Sequence, residues 1–126
     1  MKQPANGKLS TEEITFPKLI QNNARIYPNK IAIREKNLGI WQGWTWSEVL
    51  DEIKFLSCGL ASIGLKREMH LGIIGNNKPR LYWSFASAQS IGVVPVPLYQ
   101  DSIAEEMLYV LNNAEIKYVI VEDQEQ

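Results

Sequence analysis

Residues 71–99, "LGIIGNNKPRLYWSFASAQSIGVVPVPLY", decide how this chain folds. The opening "LGII" is apolar without alternation, the pattern of a short strand covered on both faces. Asn76 and Asn77 offer a cap, Pro79 suits a first helical turn, and Gly92 closes the helix that follows. "VVPV" is then a second strand, and its two valines predict a central, buried position for Val93 and Val94. Pro95 and Pro97 lack the N–H that a ladder needs. They end the pairing by about Pro97 and stiffen the turn into the next helix. Ser102 and Glu105 have capping-box spacing and open that helix through Met107, Leu108 and Leu111. "KYVIV", residues 117–121, is the third strand.

The order strand, helix, strand, helix, strand implies a small parallel sheet with right-handed crossovers. Two crossovers advancing in one direction place both helices on one face. The other face then falls to the N-terminal helices, and at least one strand edge stays unpaired. Ligands of open α/β sheets gather beyond the carboxyl ends of the strands. That rule puts a ligand edge after Tyr99.

Upstream, residues 1–14 are polar, with Pro4 and Gly7, and read as a flexible arm. Thr15, Pro17 and Pro28 bracket a helix whose stripe is Phe16, Leu19, Ile20 and Ala24. Ile31 and Ile33 alternate with Ala32 and Arg34, Asn37-Leu38-Gly39 supplies a turn, and Ile40 to Thr45 returns, which predicts a β-hairpin. Thr45 and Glu48 form a second capping box. Behind it, Val49, Ile53, Leu56, Leu60 and Ile63 step along one helix face. Gly64 stands where a left-handed C-terminal residue belongs.

The 126 residues suit one domain or a piece of a larger one, and 45% hydrophobic residues supply a core. A net charge of −1 argues against a nucleic-acid partner. The single cysteine, Cys58, and single histidine, His70, rule out a disulfide within the chain and give no Cys/His metal site. The N-terminus has no apolar signal core, and no run reaches the roughly 18 apolar residues of a membrane span. The expectation is a cytoplasmic protein.

No motif carries chemistry outright. "GIIGNN" lacks both phosphate-binding glycine spacings, so Gly75 serves the turn. His70 reads as a solvated strand start, Cys58 as a small packing residue, and Trp41, Trp44 and Trp46 as a joint between hairpin and helix. Glu105 and Glu106 complement a helix dipole.

Taken in order, "TFPKLIQNNARIYPNKIAI", "WTWSEVLDEI", "GLASIGL", "LGIIGNNKPRLYWSFASAQSIGVVPVPLY" and "AEEMLYVLNNAEIKYVIVED" resemble the N-terminal part of the AMP-forming acyl-CoA synthetases, the long-chain fatty-acid–CoA ligases above all. The resemblance covers residues 15–126. It implies a parent enzyme that activates a fatty acid with ATP and Mg2+ to an acyl-adenylate and passes the acyl group to CoA. The parent would be cytoplasmic or peripheral at a membrane. The family's Ser/Thr/Gly-rich phosphate loop and its C-terminal lid lysine have no counterpart in this sequence. The chain is therefore expected to be an N-terminal subdomain fragment that is inactive alone, binds no cofactor and self-associates. The alternative is a stand-alone interaction or regulatory domain on the same fold. Two positions depart from the family pattern: Glu68-Met69 stands where relatives often have Gly-Asp, and Gln100 follows "VPLY" where relatives often have proline or aspartate. The resemblance places Tyr99 and Gln100 near the CoA entrance, as the only residues assigned to a ligand.

Overall fold

The computed structural model describes residues 15–124. The arm expected over residues 1–14 lies outside them. Four helices and five strands follow in the order α1 (Phe16–Ile26), β1 (Ile31–Asn37), β2 (Ile40–Thr45), α2 (Trp46–Ser62), β3 (His70–Ile74), α3 (Pro79–Ser90), β4 (Val94–Leu98), α4 (Ala104–Asn113) and β5 (Tyr118–Val121). The α/β class and the strand–helix alternation follow the sequence expectation.

The N-terminal elements form for the local reasons read from the sequence. Thr15 caps α1 by accepting a hydrogen bond from the Lys18 N–H. The hairpin turns on Leu38 and Gly39, whose φ of 49° and 80° are the left-handed pair that a two-residue hairpin loop uses. The Thr45–Glu48 box is complete: Thr45 N–H donates to the Glu48 carboxylate at 2.8 Å and Glu48 N–H donates to Thr45 Oγ1 at 3.3 Å. The Thr45 N–H is also the main reason the Glu48 carboxyl is held below its ordinary pKa.

The sheet corrects the expected topology. Its order is β4-β3-β5, all parallel, so β3 is central and β4 is an edge. The first crossover steps from β3 to β4, and the second returns past β3 to β5. Reversing direction at fixed handedness sends the two helices to opposite faces. α3 joins α2 over Leu71 and Ile73, in a core with Leu60, Leu65, Ala88 and Val93. Each such side chain contributes roughly 1.5–3 kcal/mol by leaving water. The second face carries His70, Gly72, Val119 and Val121, and the end of α4 with Ile116 lies over it. The N-terminal helices do not cover that face.

This arrangement explains several further departures. Val93 faces the core and is 2% exposed, but Val94 faces the thinly covered side and is 45% exposed. The ladder runs one residue past Pro97, to Leu98 opposite Ile74. Phe16 and Ile63 are exposed because they stand at or beyond helix ends. Ser57, not Cys58, faces α3, and Cys58 is exposed. Of the tryptophans, Trp44 packs edge-on against Trp83, with centroids 5.6 Å apart, while Trp41 is exposed. His70 is half-buried and bound, its Nδ1 lying 2.6 Å from the Ala114 carbonyl at the end of α4.

Two caps also differ. Lys78, not an asparagine, is the N-cap residue of α3, and its side chain makes no capping bond. α4 starts at Ala104 behind Ile103, without a side-chain cap, and the Ser102 N–H closes a turn onto the Tyr99 carbonyl at 3.1 Å. The C-terminal ends of α2, α3 and α4 share one device. Leu65, Val93 and Ile116 donate N–H to the carbonyls of Leu60, Ala88 and Leu111, around left-handed Gly64, Gly92 and Glu115.

Candidate functional site

Because the strand order reverses at β3, the carboxyl ends of β3 and β5 stand side by side, next to the turn from β3 into α3. A cleft of about 860 Å³ lies there. The ends of the strands supply Gly75, Asn76 and Glu122, the start of α3 supplies Lys78 and Arg80, and the hairpin and α2 supply Glu35, Trp44 and Phe55. Trp83 forms part of the wall, and its Nε1 is buried without a hydrogen-bond partner among the described residues.

Charge in the cleft is organised around Glu122. Its carboxylate accepts the Asn76 N–H at 2.6 Å and pairs with the Lys78 ammonium. The Lys78 hydrogen bond, followed by the Asn76 N–H, holds the Glu122 carboxyl down at about 2. The same pairing holds Lys78 above its ordinary value. The Asn77 side chain accepts from the Tyr82 hydroxyl, which orders the other side of the turn. The cleft has no Cys or His in its wall, and its Ser84 hydroxyl donates to the Arg80 carbonyl at 2.8 Å.

Tyr99 and Gln100 are placed elsewhere, past the carboxyl end of the β4 edge, and the cleft wall does not include them. Tyr99 is 71% exposed. Gln100 is half-buried, and its Oε1 is shut off from solvent without a partner among the described residues. Sequence reasoning missed Lys78, Trp83 and Glu122 because they meet only through the strand order. The signal was available in principle, since "GIIGNNKP" and "VED" are the two strand exits that a β3–β5 pairing brings together. Among the described residues no three His, Cys, Asp or Glu side chains gather as a metal site would require, and no helix is long and apolar enough to cross a membrane.

Comparison with known proteins agrees with this frame. The AMP-binding enzyme family matches residues 20–126. Long chain acyl-CoA synthetase 4 of Arabidopsis thaliana is 30% identical over 102 residues, 81% of this chain and 15% of that protein. The uncharacterized protein Rv1549 of Mycobacterium tuberculosis is 29% identical over 110 residues, 87% of this chain and 62% of that protein. The chain thus spans less than two thirds of either relative. The solved N-terminal subdomain of NpsA from Klebsiella oxytoca superimposes with a TM-score of 0.77 at 22% identity, over 86% of this chain and 27% of that one, which supports the fold.

Proposed function

On the premise that this chain belongs to the AMP-binding enzyme family, as the N-terminal part of an AMP-forming synthetase, we propose that its parent activity is long-chain fatty-acid–CoA ligation. The observation that carries the reading is the 30% identity to the Arabidopsis long chain acyl-CoA synthetase across 81% of this chain. In such a ligase ATP converts the fatty-acid carboxylate into an acyl-adenylate, and the CoA thiol then takes the acyl group.

The described residues do not fit ATP or Mg2+. They carry neither glycine-rich phosphate spacing nor a cluster of three metal-ligating side chains. The role left to this chain is therefore scaffolding, a packed sheet on which later segments of a synthetase assemble their nucleotide site. Its one proposed ligand contact is with CoA, through the Tyr99–Gln100 turn at the β4 exit. The unpartnered Gln100 Oε1 supports that placement. Alone, the 126-residue chain is a non-catalytic fragment.

A second reading, a free-standing interaction or regulatory domain on the same fold, is favoured by the Mycobacterium relative, which this chain covers over 62% of its length. The discriminating experiment sequences the coding DNA beyond Gln126 and assays its product for palmitate-dependent pyrophosphate release and CoA thioester formation. A frame running into a Ser/Thr/Gly-rich phosphate loop, with both products formed, supports the ligase. A stop codon after Gln126, with neither product formed, supports the free-standing domain.

A further inference from the structure

The turn that feeds β3 is closed by sulfur. Lys66 donates its N–H to the Met69 thioether Sδ at 3.2 Å, and Met69 donates its own N–H back to the Lys66 carbonyl at 3.1 Å. Glu68, between them, is left-handed with a φ of 71°. The turn is tied on its far side to the segment leaving α3. The Gly92 carbonyl accepts the Glu68 N–H at 2.8 Å, and the Met69 carbonyl accepts the Val94 N–H at 2.8 Å. Arg67 lies so close that a Cβ on Gly92 would stand 2.9 Å from its Cγ. These contacts start the β3–β4 ladder, whose first pair is His70 and Val94. They stand at the amino end of the parallel sheet, opposite the Glu122 exit, and Met69 is half-buried there.

We propose that Met69 is an oxidation site whose sulfoxide opens this turn and loosens the entry to β3 and β4. A lone pair of Sδ attacks one oxygen of hydrogen peroxide, and the S–O bond forms as the O–O bond breaks. The proton of the transferred oxygen passes to the departing hydroxide, which leaves as water. Sulfur loses two electrons and peroxide gains them. The product is methionine sulfoxide, which the sulfoxide reductases turn back to methionine. The new oxygen has no room where the hydrogen bond was. The 3.2 Å from Lys66 N to Sδ is already the full length of an N–H···O hydrogen bond, so an S–O bond cannot be inserted into it. The side chain must withdraw, and the Lys66 N–H loses its acceptor. The left-handed backbone at Glu68 then has less around it to hold it in place.

The test is hydrogen-peroxide treatment of the complete 126-residue chain carrying Cys58→Ala, which takes the exposed thiol out of the reaction. Peptide mass mapping should find one added oxygen on Met69. With Met107→Leu added, oxidation should lower the melting temperature by roughly 2–8 °C, the loss of about one hydrogen bond. Amide hydrogen exchange should quicken at Lys66, Glu68 and Val94. Reduction by methionine sulfoxide reductases A and B should restore both readings. With Met69→Leu added as well, peroxide should leave both where they were. If the leucine variants do not fold, the Cys58→Ala chain decides alone, through Lys66 exchange that quickens on oxidation and recovers on reduction. A Met69 that stays unoxidised while Met107 is converted overturns the proposal. So does an oxidised Met69 that changes neither the melting temperature nor the Lys66 exchange, or an equal loss in the chain without Met69.

Discussion

The Glu122 carboxylate holds the Asn76 N–H at 2.6 Å, tying the exit of β5 to the exit of β3 directly in front of α3. This contact spans 46 residues of sequence and ties the two neighbouring strand exits together. A carboxylate near a helix N-terminus also complements the helix dipole. The pairing with Lys78 adds a second charge-assisted bond to the same group.

That contact makes stability depend on acid. The Glu122 carboxyl is lowered from 4.5 to about 2 in the fold. A depressed carboxyl stabilises fully above its unfolded pKa, and the contribution fades as pH falls from about 4.5 toward 2. Glu122→Gln should therefore lower the melting temperature at pH 7. The gap to wild type should narrow steadily below pH 4.5 and nearly close by pH 2. A gap that is constant from pH 7 to pH 2 would assign the loss to packing. The raised Lys78 group acts at the other end, with its share present below about 10.5 and lost only as pH climbs beyond that value.

Two glutamates sit where glycine is at ease. Glu68 and Glu115 have φ of 71° and 51°, Glu115 in the same C-terminal position that Gly64 and Gly92 fill after α2 and α3. The left-handed conformation costs an L-residue roughly 1–2 kcal/mol, and glycine returns part of that through its freer unfolded state. Glu68→Gly and Glu115→Gly should each stabilise by about 0.5–1 kcal/mol in urea unfolding, with the slope unchanged. Destabilisation by either would mean that the glutamate side chain contributes more than its backbone strain.

The crossing of α2 and α3 should resist larger side chains. Ser57 Oγ donates to the Ile53 and Ser87 carbonyls at 2.6 and 3.2 Å, and Ser87 Oγ donates back to Ile53 at 3.2 Å. Ser87 is fully buried. Ser87→Leu inserts three carbons where the helices touch and should cost about 1–3 kcal/mol. Ser87→Ala, which loses only a hydrogen bond, should cost about 1 kcal/mol. Chemical denaturation ranks the two, and equal losses would show that the helices can part without penalty.

Local signals carried most of the element reading. The Thr45–Glu48 box, the hairpin and the ends of α2 and α3 at Gly64 and Gly92 depend on neighbours a few residues apart, and the structure bears them out. Strand order was not legible, because "LGII", "VVPV" and "YVIV" are equally apolar and none announces which is central. From that single gap came the misplaced helix faces, the burial assigned to Val94 and the overlooked Glu122–Lys78 pair. Capping boxes mislead when a turn competes, as at Ser102, whose N–H is taken by Tyr99. The prolines at 95 and 97 were read as ending the ladder, but the ladder runs through both to Leu98, and what they forbid is pairing on the outer side.

Restoring the missing donors on that outer side should convert a closed edge into an open one. In Pro95→Val with Pro97→Val, the outward N–H groups return while the inward ladder from Val94, Val96 and Leu98 to β3 is untouched. The chain also loses the unfolded-state restriction of two prolines, worth about 0.4–1 kcal/mol each, so a small fall in stability accompanies the change. The larger effect is on association. With the β4 edge able to pair, copies can join along it. Dynamic light scattering should find a hydrodynamic radius that rises more steeply with concentration in the double variant than in wild type. A double variant that stays as small as wild type at every concentration would mean that edge chemistry does not limit assembly, and that some other surface holds this chain apart.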